Sequence, residues 1–153
     1  MFKKISAVSA LLLLAACECG TDTCQKVDTA TAVTPGTAAD FKQNIRDRAF
    51  FGFDSAKLQP SAEEVLKQQA AWLKVHNATT ASVTGHCDSR GSAEYNLALG
   101  QKRAQAAADC LAHCGVEKTR LKTVSYGKEQ QPVPNATTEE QHAQNRVAVT
   151  VIN

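Results

Sequence analysis

GHCDSRGSAEYNLALGQKRA, residues 85–104, decides how the rest of the chain is read. Its first two residues, with Val83-Thr84 before them, close a run in which apolar and polar positions alternate, Val83-Thr84-Gly85-His86, the pattern of a strand. A turn follows at Asp88-Ser89-Arg90-Gly91-Ser92, and then a long helical pattern opens with Ser92 as N-cap and Glu94 in the first turn. Asp88 therefore stands where a strand ends and a helix is about to begin, with Arg103 further along that helix. Asn96 and Arg103 are seven residues apart and share one helix face. Leu97, Ala104, Ala108 and Leu111 form a second line about 100° round, expected to face the core. A carboxylate and a guanidinium held near one helix N-terminus suit a ligand that carries both an ammonium and a carboxylate.

Working outward, Ala49–Phe53 reads as a strand and Pro60–His76 as a helix. Pro60, Glu63 and Glu64 suit its N-terminal end, and Lys74 and His76 its C-terminal end. Val65, Leu66, Ala70 and Leu73 are expected to face a sheet, with Trp72 as padding. Strands are expected at Thr80–His86, Arg120–Tyr126 and Arg146–Ile152, the last with Val147, Val149 and Val151 on one face. The long helix is expected over Ser92–Cys114 with Gly115 at C′, and a short one over Glu139–Gln144. Strands alternating with helices predict an α/β fold of the α+β sandwich kind, βαβαβ(α)β, with one layer of helices on one mixed sheet.

Upstream, residues 1–16 read as a signal peptide: Lys3 and Lys4 precede an apolar stretch, Ile5–Leu14, that is too short to span a bilayer. Leu14-Ala15-Ala16-Cys17 resembles the lipobox of bacterial lipoproteins, so Cys17 is the expected lipidation site and mature N-terminus. Its thiolate would accept the diacylglyceryl group, and several acyl chains are needed because one anchors only marginally. Residues 17–40 read as a flexible linker rich in Thr and Ala, with Pro35-Gly36 near its end. The folded domain is expected over residues 41–153, with a short helix in Phe41–Arg48.

Loss of Lys3 and Lys4 with the signal lowers Lys+Arg from 17 to 15, equal to the 15 acids. A mature net charge of zero argues against nucleic acid as a partner. Of the six cysteines, five remain after lipidation: Cys19 and Cys24 in the linker, and Cys87, Cys110 and Cys114 in the domain. An oxidising compartment would leave at least one of them without an intramolecular bridge. Cys110, His113 and Cys114 share a helix face and, with His86 and Cys87, raise a zinc reading. Their spacing matches no tight Cys-x-x-Cys pair, and buried small thiols are the simpler reading. A hydrolase built on His86, Cys87 and Asp88 is disfavoured because neighbouring strand residues point to opposite faces.

The decisive stretch resembles the signature of the OmpA-like peptidoglycan-binding domains: Gly-His-x-Asp at 85–88, Gly91, then Asn-x-x-Leu-Gly-x-x-Arg-Ala from Asn96 to Ala104. Three more pieces match in order: Phe51-Gly52-Phe53-Asp54-Ser55, Ser125-Tyr126-Gly127-Lys128-Glu129, and Gln144-Asn145-Arg146 with the strand after it. The resemblance spans residues 49–152, and the layout is similar to that of the family's Gram-negative lipoproteins. It implies a non-catalytic module, without cofactor or metal, that binds the diaminopimelate of the peptidoglycan stem peptide. In it, Asp88 would pair with the ligand ammonium and Arg103 with its carboxylate, while Asp54, Asn96, Leu99 and Arg146 surround the site. Cys87 replaces the family's usual Thr. Glu18, in place of Asp after the lipidated Cys, favours outer-membrane sorting with the domain in the periplasm. The same resemblance implies a tether within a Tol–Pal-type envelope system, contacting periplasmic Tol proteins. Alternatives are a surface lipoprotein with an adhesive role and a Cys/His metal-binding lipoprotein.

Overall fold

The computed structural model describes residues 34–153. The expected signal peptide, Cys17, Cys19, Cys24 and most of the linker lie outside them. Helix α1 spans Ala38–Asn44, strand β1 Arg48–Phe50, α2 Pro60–Val75, β2 Ala81–His86 and α3 Ala93–His113. β3 (Leu121–Gly127), α4 (Glu139–Asn145) and β4 (Val147–Ile152) complete the chain. The folded part begins earlier than expected. Thr37 accepts a hydrogen bond from the Asp40 N–H, so Ala38–Asp40 are helical and not linker.

The four strands form one mixed sheet in the order β1-β4-β2-β3. β2 and β3 run parallel, joined by a crossover that contains α3, and β4 runs antiparallel to both β1 and β2. Helices α2 and α3 lie on one face of this sheet, as the alternation of elements predicts. Ala81 and Val83 of β2 and Ala148 of β4 meet Leu66, Ala70, Leu73, Ala104, Ala107 and Leu111 in the core. Val147, Val149 and Val151 share a face of β4, as read, but alternate with the core-facing Ala148. Val147 is buried, whereas Val151 is 39% exposed.

Two core assignments change. Leu97 is 52% exposed. It lies near the start of α3 over β3, whose Ser125 hydroxyl donates to the Leu97 carbonyl, and β3 is an edge strand with no strand beyond it among the described residues. Val65 is only half-buried, and Gln69 takes the inward position at 0% exposure. The Gln69 amide donates to the Arg46 carbonyl (2.5 Å) and accepts from Thr150 Oγ1 (2.7 Å), which removes the cost of burying it. Arg120, expected to open β3, instead ends the short turn just before it and caps α2 from outside, donating to the carbonyls of Leu73, His76 and Thr79.

One close approach fixes how α3 sits. A Cβ on Gly85 would lie 1.9 Å from the Gly100 carbonyl oxygen. The helix therefore rests directly on the β2 backbone, and this contact aims the start of α3 at the end of β2.

Candidate functional site

Residues 87–92 turn from β2 into α3. Gly91 has φ +88°, a conformation that favours glycine. Ser92 caps α3 as expected, accepting from the Tyr95 N–H at 3.2 Å. Asn96, 2% exposed, donates through Nδ2 to the carbonyls of Arg90 (2.7 Å) and Ser92 (3.0 Å). Both amide hydrogens are thus spent on holding the turn, which is what this buried side chain contributes to the site.

The turn closes one side of a cavity of about 210 Å3. All six residues singled out in the sequence, Asp54, Asp88, Asn96, Leu99, Arg103 and Arg146, line it. They come from the β1–α2 loop, the β2–α3 turn, α3 and the residue before β4. The volume lies below that of a drug-sized pocket and suits one amino-acid residue.

Asp88 is 5% exposed. Its Oδ2 accepts from Arg90 Nη2 (2.5 Å) and Nε (3.2 Å), and its Oδ1 from the Arg90 backbone N–H (3.3 Å). Arg146 Nη1 approaches Oδ2 at 3.5 Å and donates to Glu139 Oε1 at 2.8 Å. Arg90 Nη1 donates to the other Glu139 oxygen at 3.1 Å, and its guanidinium carbon lies 4.3 Å above the Phe53 ring. Burial works to raise the Asp88 carboxyl, but hydrogen bonds from Arg90 and its charge outweigh it, so the carboxyl is held below its ordinary range. Arg146 does the same for Glu139.

Arg103 has a different environment from the one expected of a free cation. It is 1% exposed. Nε donates to the Ser55 carbonyl (2.9 Å), Nη2 to Gly52 (3.1 Å), and Nη1 to His86 (2.9 Å) and to Cys87 Sγ (3.2 Å). Four of its five N–H groups therefore hold the β1–α2 loop, the end of β2 and the Cys87 thiol together. One Nη2 hydrogen and the charge itself are what it has left to offer a ligand among the described residues. Burial depresses its basicity. On the open rim, the Tyr95 hydroxyl donates to Asp54, which has a positive φ of 51°.

Cys87, 1% exposed, lies against the Asn96 carbonyl at 3.4 Å, and burial pushes its thiol up, the opposite of an activated nucleophile. His86 faces the other side of the sheet. Its ring is held by Thr84 Oγ1 (3.0 Å) and the Gln130 carbonyl (2.6 Å) beside Tyr126. His86 and Cys87 are thus separated, as strand alternation requires. Cys110 and Cys114 sit at the far end of α3, seven or more residues past Arg103, or about 10 Å of helix rise. Among the described residues no group of three His, Cys, Asp or Glu side chains is placed to hold a metal ion.

The residues that sequence reasoning left out are Arg90, Phe53 and Glu139. A signal for Arg90 was present: Asp88 and a residue two positions on, inside a turn, is the arrangement in which an Asp side chain bonds the following backbone. Glu139 comes from a distant helix, and nothing local announces it.

Residues 50–146 match the sequence model of the OmpA family. A peptidoglycan-associated lipoprotein of Mesorhizobium japonicum is 48% identical over 124 residues, 81% of this chain and 73% of that protein. One of Brucella melitensis is 46% identical over the same shares of the two chains. The crystal structure of the peptidoglycan-associated lipoprotein from Burkholderia pseudomallei superposes with a TM-score of 0.68 at 39% identity, covering 71% of this chain and 91% of that one.

Proposed function

The chain belongs to the OmpA family, and from that premise we propose that it is a lipid-anchored, non-catalytic module that binds the peptidoglycan stem peptide. Cys17 carries the anchor, the linker after it, up to about residue 37, reaches toward the wall, and the domain from Ala38 on holds it, tethering the outer membrane from the periplasmic side. The observation that carries this reading is the buried, ionised Asp88 at the floor of a cavity sized for one amino-acid residue. A carboxylate out of water and held in its charged form is a receptor for an ammonium group.

The ligand moiety that fits is meso-diaminopimelate, whose side chain ends in an amino acid. Its ammonium pairs with Asp88, and its carboxylate meets the positive wall supplied by Arg103 and Arg146. Phe53, Leu99 and the aliphatic stem of the ligand exclude water from those pairs. Membership of a Tol–Pal-type system, with periplasmic Tol proteins as partners, is part of the same proposal and follows from the family resemblance.

Co-sedimentation with purified sacculi, competed by free diaminopimelate, tests it. One lost charge-assisted contact is worth ~2 kcal/mol or more, so Asp88→Ala is expected to weaken sedimentation about 30-fold. Failure to sediment, or release of soluble muropeptides, would overturn the reading.

A further inference from the structure

Asp88 already has a cation, and that cation belongs to the protein. Arg90 meets the carboxylate with two side-chain N–H groups on Oδ2 and its backbone N–H on Oδ1. Yet Arg90 is not locked as Arg103 is. Its side chain is 41% exposed, on a turn residue, and its second anchor, Glu139, is 58% exposed. Its other neighbour is the face of Phe53, itself 61% exposed. A fixed structural arginine in this fold looks like Arg103 or Arg120, spread over several backbone carbonyls. The Arg90 guanidinium instead hydrogen-bonds only to carboxylates among the described residues, and a carboxylate can be given up in exchange for another.

We propose that Arg90 is an internal stand-in for the ligand, displaced from Asp88 by the incoming ammonium and then paired with the incoming carboxylate. This rests on the binding reading above and adds to it a source of selectivity. Before binding, Asp88 is paired with Arg90. After a zwitterionic group binds, Asp88 is paired with the ammonium and Arg90 with the carboxylate, so the number of ion pairs in the cavity rises by one. A ligand carrying an ammonium alone must eject Arg90 and return nothing to it, leaving the guanidinium on the solvent-exposed Glu139. Such a ligand is penalised by the broken Asp88–Arg90 pair. Selectivity for diaminopimelate over lysine at the same stem position then comes from Arg90 as much as from any fixed group.

The test is calorimetric titration of the full protein, in wild-type, Arg90→Gln and Arg90→Lys forms, with stem peptides carrying either diaminopimelate or lysine. Wild type should prefer diaminopimelate by at least tenfold, the value of one charge-assisted pair. Arg90→Gln should bind the lysine peptide roughly tenfold more tightly than wild type does and lose most of the preference. Arg90→Lys, which keeps a displaceable cation, should retain it. If wild type binds diaminopimelate selectively and Arg90→Gln shows the same ratio, or weakens both peptides equally, the exchange is wrong and the binding reading stands. If only Arg90→Gln takes the lysine peptide, the exchange is supported. If no form binds either peptide, both fall.

Discussion

Replacing Arg103 by Ala should cost stability before it costs affinity. The side chain supplies the hydrogen-bond donors of three backbone carbonyls. That of His86 is buried, and leaving it orphaned costs ~1–3 kcal/mol. Those of Gly52 and Ser55 are part-buried, so water replaces some of what is lost, and each adds ~0.5–1.5 kcal/mol. The sum centres on about 4 kcal/mol, against a total stability of ~5–15 kcal/mol for a domain. With a urea m-value near ~2 kcal/mol/M, the midpoint should fall by about 2 M. Trp72 is the single tryptophan of the chain and packs edge-on against Phe41, its centroid 5.0 Å away, so its fluorescence reports the unfolding. Arg103→Lys should fall between the two, because one ammonium cannot reach all three carbonyls. A midpoint for Arg103→Ala within 0.3 M or so of wild type would show that these carbonyls do not depend on the guanidinium, and would return Arg103 to a mainly ligand-binding role.

Gly85→Ala places a Cβ 1.9 Å from the Gly100 carbonyl oxygen, so it should destabilise the fold by about 3 kcal/mol; a thermal midpoint unchanged by the substitution would refute the direct helix-on-strand contact. Asp88 has a folded-state pKa below its ordinary 3.8. The stability it contributes is therefore complete above about pH 5 and is lost as pH falls through the ordinary and then the folded value. Melting curves between pH 7 and pH 3 should show a smaller acid loss for Asp88→Asn than for wild type, and equal losses would refute the pairing. Replacing Cys110 and Cys114 by Ala and Ser should leave sacculus binding within about twofold, since both lie ~10 Å or more of helix rise beyond Arg103; a large binding loss in the folded variant, or stoichiometric zinc in the purified protein, would contradict this. Cys17→Ala should move the protein from the membrane fraction to the soluble periplasm, and continued acyl labelling would overturn the lipobox reading.

Part of the cavity wall was legible in local signals: Asp88 ends a strand just before the Ser92 cap, and Asn96 and Arg103 share a helix face. Asp54, Leu99 and Arg146 came from the family resemblance, not from any local pattern. What those groups bond to was not legible. Helical spacing puts Arg103 on the right face but says nothing of Gly52 and Ser55, which lie 51 and 48 residues away. The ring of charge around Asp88 also needs Glu139, 49 residues from Arg90. Leu97 fits the apolar line of α3 by angle, and periodicity cannot tell that β3 beneath it is an edge strand. Gln69 and Asn145 are polar and fully buried, which composition alone argues against. Gln69 is reconciled by Arg46 and Thr150, and Asn145 by the backbone of Val133, which accepts from and donates to its amide at 2.8 and 2.7 Å.

The three carbonyls on Arg103 have a kinetic consequence. They belong to segments 17 to 51 residues away along the chain, and loop closure over such spans must be completed before any of these bonds can form. The guanidinium is therefore expected to be seated late, after the sheet and α3 have met. Changes at Arg103 should then leave the refolding rate nearly untouched and accelerate unfolding, appearing in the unfolding arm of a chevron. Arg103 would then set how long the folded cavity persists between openings.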